Sequence, residues 1–262
     1  MIQEVRKLIK YGFKTRRAWW FTATARTRAR FSRTVIGSLW LGIANLLFSL
    51  VLGGVYGIVF KVPDLTQYFI YLGLGFSIWA TLGGAINSSP SIFDNNATNI
   101  LNSKVHPLFY VLEEWAFQIQ TFVQSFLIII IFIAFLSPNI LINLFIFSPI
   151  HILNLFLFIL WLPLLICLAA IRYQDLYQLI PIITQLIFLL SPIFYTEKNL
   201  GKLKIIADFN PIYQVLSLLR NSLINGELLL TPALGLLILN FIMITLSLLA
   251  LSKSKRNLVF YI

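Results

Sequence analysis

The sequence predicts an all-α integral membrane protein with six transmembrane helices, an N-terminal amphipathic interfacial helix and short re-entrant external helices between spans five and six. Of its 262 residues, 59% are hydrophobic and 11% are charged, a balance far from that of soluble domains. The 27 residues from Thr34 to Phe60 carry no charge. As a helix they would be about 40 Å long, against a hydrocarbon core of about 30 Å. Immediately before this run stand four arginines, which indicate the cytoplasmic side: Arg26, Arg28, Arg30 and Arg33.

Residues 2 to 20 predict one basic amphipathic helix that lies in the membrane interface. Ile2, Val5, Ile9 and Phe13 form an apolar stripe at helical spacing, and lysines and arginines cover the other side. Two interpretations stay open: an anchor for anionic lipids, or a platform that also contacts a cytosolic subunit. We therefore divide the chain into a cytoplasmic interfacial segment, 1–33, and a six-span transmembrane domain, 34–262.

The remaining apolar runs give the other spans. A second charge-free run is Leu65 to Phe93, and a third, Trp115 to Ile171, is 57 residues long and must fold back. The turn signal Ser137-Pro138-Asn139 divides it into two spans. Leu176 to Tyr195 is the fifth predicted span and Ala233 to Leu251 the sixth. Gly53 and Gly57 form a GxxxG pair, which allows a neighbouring helix to approach closely.

Two connecting segments differ in character. Pro90 to Pro107 is rich in Asn and Ser, lies on the cytoplasmic side, and has room for a short helix capped by Asp94 or Asn95. The segment 196–232 is external and too short in apolar stretches to cross the membrane twice, so we expect half-inserted helices there. One of them should follow Asn210-Pro211 and end near Asn225-Gly226. This topology places 15 basic residues inside and five outside, with both termini cytoplasmic.

The chain carries no recognisable catalytic or metal site. His106 and His151 fall on opposite sides of the membrane, and the single cysteine, Cys167, lies in an apolar run. Glu113 and Glu114 are neighbours that point about 100° apart on a helix, so we interpret them as an interfacial charge cluster near Lys104. No DxD, HExxH or P-loop pattern occurs. We expect no catalytic residue, no metal and no cofactor in this chain. The basic excess beside a span favours membrane lipid headgroups or a cytosolic partner over nucleic acid.

Uncharged polar side chains inside the spans indicate a transport path. Each one alone is best explained by hydrogen bonds between helices. Together with the aromatic residues, which make up 15% of the chain, they could line a path for a neutral, hydroxyl-rich substrate. Because no intramembrane charge offers ion coupling, the energy must come from elsewhere, most simply a cytosolic ATPase. The predicted path residues are Asn45, Tyr56, Gln120, Gln124, Gln178 and Gln185.

Three stretches carry a resemblance to a known family. RTVIGSLWLGIANLLFSLVLGGVYGIVF (33–60), RYQDLYQLIPIITQLIFLLSPIFY (172–195) and NPIYQVLSLLR (210–220) occur in this order. They resemble the permeases of type-2 ABC exporters for polysaccharides and polyol phosphates, which include O-antigen (lipopolysaccharide), capsule and teichoic-acid systems. The stretch HPLFYVLEEW, with its two glutamates, departs from the family pattern.

The resemblance implies a homodimer of permease subunits in a bacterial cytoplasmic (inner) membrane, with two ATPase subunits that bind ATP and Mg²⁺. The substrate it implies is a lipid-linked glycan that is moved outward. It places the contact surface for the ATPase at Asp94, Asn95, Asn99 and Lys104. It places a lid over the external exit at Tyr195, Asn210, Pro211 and Arg220.

Other functions stay open at this point. A permease of the same architecture could carry a drug or another lipid, and the spans alone do not separate these cargoes. A membrane-embedded glycosyltransferase would need acidic clusters that the sequence lacks. A channel or proton-coupled carrier would need intramembrane charge.

Overall fold

A computed structural model describes residues 2–102, 105–195, 201 and 204–261. This part of the chain forms twelve α-helices and, among the described residues, no strand. The helices are α1 (Ile2–Lys14), α2 (Arg16–Arg30), α3 (Trp40–Val59), α4 (Leu65–Ser88), α5 (Ala97–Asn102), α6 (Leu108–Leu136), α7 (Asn139–Ile146), α8 (Pro149–Ala170), α9 (Leu176–Leu190), α10 (Lys204–Phe209), α11 (Pro211–Asn225) and α12 (Leu230–Tyr261). The all-α membrane fold is confirmed.

Five helical stretches are long and apolar enough to cross a membrane. They are Gly37–Val59, Leu65–Ser91, Leu108–Leu136, Pro149–Ala170 and Leu230–Ser254. The fifth predicted span differs, because α9 ends at Leu190 and Ser191 to Tyr195 form bends. At 1.5 Å per residue, the 15 residues of α9 extend about 22 Å.

The N-terminal segment is two helices, so the prediction of one helix over residues 2 to 20 is wrong. Thr15 is the single residue between α1 and α2, and side chains bond the last carbonyls of α1 there. The Thr15 hydroxyl donates to Tyr11 O at 2.9 Å, and Trp19 Nε1 donates to Gly12 O at 3.0 Å. The apolar residues Val5 and Leu8 of α1 are buried against the ends of α6, α8 and α12.

Proline and asparagine set the helix boundaries that the sequence predicts. The turn at Ser137-Pro138 is confirmed, and the next stretch is two helices because the chain breaks at Ser148 before Pro149 starts α8. Asn210 caps α11: its Oδ1 accepts from Ile212 N at 3.0 Å. Gly226 ends the same helix at φ 67°, a left-handed conformation that favours glycine.

Helix α4 is the centre of the bundle: 72% of its apolar stretch is buried, against 22% for the span that contains α3. The small residues of α3 let its neighbours approach. A Cβ on Gly42 would lie 2.6 Å from Ile128 Cβ in α6, and one on Gly57 would lie 2.5 Å from Leu65 Cδ2 in α4. Asn240 in α12 donates to Asn154 Oδ1 in α8 at 3.0 Å, so the interhelical role predicted for such amides is confirmed there.

The helices run between two ends, which we name by their contents. The basic end holds α1, α2, α5 and the turn 171–175. The α11 end holds the turn 60–64, the turn at Ser137-Pro138, the bends 191–195 and the helices α10 and α11.

Candidate functional site

A polar cavity of about 510 Å³ lies between α2, α3, α4 and α6 at the basic end. Helix α2 contributes Arg26 and Arg30 to its wall, and α3 contributes Trp40 and Asn45. Hydroxyl and amide side chains of α4 and α6 complete it: Ser77, Thr81, Ser88, Gln118, Thr121 and Ser125. We call this space the polar cavity. Its wall offers hydrogen-bond donors, acceptors and aromatic faces, which are the groups that bind hydroxyl-rich molecules.

One pair of polar groups in the polar cavity is joined by a hydrogen bond, and one hydroxyl has no partner in the described part of the chain. Asn45 Nδ2 donates to Ser125 Oγ at 2.7 Å, which ties α3 to α6 across the wall. The Ser77 side chain is 1% exposed, and its hydroxyl oxygen has no hydrogen-bond partner among the described residues. A buried hydroxyl without a partner is unfavourable, so a ligand or water in the polar cavity would satisfy it.

Glu114 is the acceptor that organises the basic end. Its Oε1 accepts from the Ser88 hydroxyl and from Gln118 Nε2, both at 2.8 Å, and its Oε2 accepts from the Arg26 guanidinium at 2.5 Å. The Glu114 side chain is 8% exposed and that of Arg26 is 46% exposed. Arg26 also lies over the Phe117 ring, 4.2 Å from its centroid. These contacts join α2, the end of α4 and the start of α6.

The charge cluster predicted for Glu113 and Glu114 thus has Arg26 as a cation, and Glu114 is buried in it. The predicted neighbour Lys104 lies outside the described residues. A signal for the buried role was present in the sequence. Glu114, Gln118, Thr121 and Ser125 are spaced at four, three and four residues, so they share one face of a helix. That face lines the polar cavity.

A second cavity of about 250 Å³ shares three residues with the polar cavity: Arg26, Ser88 and Glu114. Its other wall includes Asn95 and Asn96 in the segment between α4 and α5. The Glu114 network is thus part of the wall of both spaces. A movement of residues 89–102 would reach the polar cavity through Ser88.

The predicted path residues do not form one group. Asn45 lines the polar cavity, whereas Gln120 and Gln124 line a neighbouring cavity of about 440 Å³ beside α2. Gln120 Nε2 donates to Thr24 Oγ1 at 3.0 Å, and Gln124 Oε1 is buried with no partner among the described residues.

The other three path residues lie away from these cavities. Tyr56 is half-buried at the α11 end, with its ring 5.5 Å from that of Phe60 and 5.7 Å from that of Phe194. Gln178 and Gln185 are exposed on α9.

The segment predicted to contact an ATPase is exposed at the basic end. Asp94, Asn95 and Asn99 are exposed, in a 3-10 turn and in α5. Asp94 accepts a hydrogen bond from the Tyr177 hydroxyl at the start of α9. The segment therefore contacts α9 as well as α4.

The predicted external lid holds a buried cation. Arg220 is 1% exposed, so it is buried within the segment predicted to be external. Its Nη1 donates to Pro192 O at 2.8 Å, its Nη2 donates to the Tyr213 hydroxyl at 3.4 Å, and its guanidinium carbon lies 3.7 Å from the centroid of the Tyr71 ring. Its Nε has no partner among the described residues. Arg220 therefore joins α11 to α4 and to the bends after α9.

Two further residues of the lid hold local structure. Tyr195 donates its hydroxyl to Leu189 O at 2.7 Å, and burial raises the pKa of this phenol, so it stays a donor. Asn210 also donates from Nδ2 to Ser191 Oγ at 3.2 Å, while Pro211 is the first residue of α11. The lid residues thus fasten the end of α9 to the start of α11.

A metal site would need several ligands close together. Within the described residues, no group of three or more His, Cys, Asp or Glu side chains could hold a metal ion. His151 is 1% exposed in α8, and neither ring nitrogen has a hydrogen-bond partner among those residues.

Comparison with known proteins matches residues 20–224 to the family described as ABC-2 type transporter. A comparison with curated proteins gives no match. The matched stretch runs from α2 to α11 and contains the polar cavity, the Glu114 network and Arg220, while α1 and α12 lie outside it. Membership implies a transport component that works with an ATPase subunit. The chain is a multi-pass membrane permease that belongs to the ABC-2 type transporter family.

Proposed function

We propose that this permease exports a lipid-linked polysaccharide of the O-antigen, capsular or teichoic-acid kind across a bacterial cytoplasmic membrane. Two copies of the chain form the path, and two ATPase subunits, which bind ATP and Mg²⁺, drive it. Both termini are cytoplasmic, so the basic end faces the ATPase. The observation that carries the proposal is the polar cavity at that end.

The wall of the polar cavity suits the head of a lipid-linked sugar. Sugars bind through hydrogen bonds to amides and hydroxyls and through stacking on aromatic faces. Gln118, Thr121 and the unpartnered hydroxyl of Ser77 supply the first, and Trp40 supplies the second. The phosphate that links sugar to lipid carries negative charge, and Arg30 lines the same space. A drug-sized apolar cargo would leave the Ser77 hydroxyl without a partner.

Apolar faces that one chain leaves exposed support the homodimer. Helix α3 exposes Leu47, Phe48, Val51 and Val55, and α9 exposes Ile182, Leu186 and Leu189. In the dimer these faces meet the partner copy or border the path. Gln178 and Gln185, exposed on α9, then contribute amides to a path between the two copies.

Coupling to the ATPase runs through the Glu114 network. The ATPase contacts residues 89–102, and their movement pulls on Ser88, which donates to Glu114. Glu114 in turn holds Arg26 at the wall of the polar cavity. Movement of residues 89–102 therefore changes the width and charge of the polar cavity.

The first test is biochemical. A tagged permease purified from its own host should bring an ATPase with it in equal numbers, and deletion of its gene should leave a lipid-linked glycan on the inner side of the membrane. Absence of an ATPase, or a normal glycan surface after deletion together with hypersensitivity to a drug, would contradict the proposal.

The second test addresses the polar cavity itself. Ala80→Trp places an indole in the cavity wall and should abolish glycan export while the permease still binds its ATPase. Leu127→Trp is the matched control, since Leu127 is exposed on α6 and does not line the polar cavity. Equal export by both variants would remove the polar cavity from the path.

A further inference from the structure

An apolar groove of about 360 Å³ lies at the basic end, beside α1 and separate from the polar cavity. Its walls are leucine-rich faces of α1, α6, α8 and α12, together with Trp19 and Trp115. Two of these helices, α1 and α12, lie outside the stretch that matches the family. We call it the apolar groove.

The groove lies where α1 meets the bundle, and contacts of Gly12 and Trp19 hold α1 in place there. Gly12 touches α6: a Cβ built on it would lie 3.1 Å from Leu112 Cδ1. Trp19 Nε1 donates to Gly12 O, and the Trp19 ring lies 5.8 Å from that of Trp115. These contacts brace the turn between α1 and α2 and leave a gap beneath α1.

The interior of the groove offers almost no hydrogen bonds. Both indole N–H groups are already used, that of Trp19 by Gly12 O and that of Trp115 by Phe156 O at 2.7 Å. The Ser247 hydroxyl donates to Ile244 O at 2.9 Å. Water would find few partners there, whereas a hydrocarbon chain would make contacts on every side.

The mouth of the groove is amphipathic in the way a membrane surface requires. Phe13 is 67% exposed and Ile9 is 45% exposed, and both line the groove. Arg16 lines it too and is exposed, and Lys10, Lys14 and Arg17 stand exposed nearby on α1 and α2. The two ion pairs among the described residues, Lys7 with Glu4 and Arg26 with Glu114, use none of these four cations.

We propose that the groove binds one acyl chain of an anionic glycerophospholipid, whose phosphate contacts Arg16. The apolar interior takes the chain, and Arg16, the cation that lines the groove, selects the headgroup. The bound lipid fills the space between α1 and the bundle and fixes α1 at the membrane surface. This site does not depend on which cargo the permease exports.

Native mass spectrometry of the full permease tests the proposal. The protein is purified in a mild detergent and incubated with equal amounts of phosphatidylglycerol and phosphatidylcholine. The unaltered chain should retain one phospholipid, with the anionic one favoured about fivefold. Arg16→Gln should bring the two lipids to equal retention. Arg17→Gln is the matched control, because Arg17 is exposed but does not line the groove, and its preference should be unchanged.

A second pair of variants tests the acyl chain. Leu160→Trp and Leu157→Trp each place an indole in the groove from α8 and should abolish retention of either lipid, and size-exclusion elution identifies the variant that folds. Retention of lipid by a folded variant of this kind would overturn the proposal. So would equal loss of preference in Arg16→Gln and Arg17→Gln, or displacement of phosphatidylglycerol by an equal concentration of a polyprenyl phosphate.

Discussion

The two ends of the bundle each hold an arginine that joins helices, and the two arginines lie in opposite surroundings. Arg26 at the basic end is 46% exposed, pairs with the buried carboxylate of Glu114 and lines two cavities. Arg220 at the α11 end is 1% exposed and is held by a carbonyl, a phenol hydroxyl and an aromatic ring. The Arg220 guanidinium forms no ion pair with a carboxylate among the described residues.

The difference shows where this molecule can rearrange at low cost. Moving Arg220 would leave Pro192 O and the guanidinium without partners in an apolar interior, which has a high free-energy cost. Moving Arg26 would let water replace Glu114 as its partner, because about half of its side chain is exposed. Glu114 would keep the hydrogen bonds from Ser88 and Gln118. We therefore expect the basic end to move during transport and the α11 end to resist until the cavity is loaded.

The largest effect should come from removing the buried cation. Arg220→Ala leaves Pro192 O unpaired and a void beside Tyr71, and should lower the free energy of unfolding by about 3 kcal/mol. Denaturation with SDS in mixed micelles measures this. Arg172→Ala, at an exposed arginine in the turn 171–175, should change it by less than about 0.5 kcal/mol. Similar losses in the two variants would mean that Arg220 does not hold the α11 end together.

A smaller loss should follow at the basic end. Glu114→Ala removes the acceptor shared by Ser88, Gln118 and Arg26, and we expect a loss of about 2 kcal/mol, since Arg26 can turn to water. The same SDS titration measures it. The neighbouring Glu113→Ala, at a half-buried residue that makes none of these three hydrogen bonds, should cost less than half as much. A Glu114→Ala loss larger than that of Arg220→Ala would reverse the comparison between the two ends.

The fold followed from the sequence because length and polarity decide it. Charge-free runs, the Ser137-Pro138 turn and the Asn210-Pro211 cap act locally, so they can be identified without the tertiary structure. The break at Thr15 could not, since the apolar stripe of residues 2 to 13 and the cations around it fit a single helix equally well.

The candidate site was harder to predict from the sequence, because the burial of a charged side chain depends on tertiary structure. Arg220 follows Tyr213 and Leu216 at helical spacing and precedes Leu223, all of them buried, so its place on the apolar face of α11 was readable. The sequence pattern could not identify the partners of Arg220, because Pro192 O and the Tyr71 ring come from other segments. Gln178 and Gln185 were predicted to line the path because they are polar, but they are exposed on α9. Polarity alone therefore does not show whether a side chain lines a cavity.

Helix α3, which forms one wall of the polar cavity, tests how tightly the basic end is packed. In Gly42→Ala the new Cβ would meet Ile128 Cβ, an atom that no rotamer change can move, so α3 must shift from α6. We expect a loss of about 1–2 kcal/mol by SDS titration. Gly54→Ala in the same helix meets nothing within 4 Å and should be neutral or slightly stabilising. Equal behaviour of the two glycines would show that the wall between α3 and α6 is loose.

The smallest effect probes the fastening of the α11 end. Asn210→Ala removes the cap on α11 and the hydrogen bond to Ser191, and should lower the free energy of unfolding by about 1 kcal/mol. Asn225→Ala, at the exposed last residue of the same helix, is the matched control and should have little effect. If the α11 end is the rigid end, Asn210→Ala should also speed amide hydrogen exchange at Ile212 and Tyr213 while the amides of α2 exchange as before. Faster exchange in α2 alone would place the weak point at the basic end and show that the cap does not hold α11.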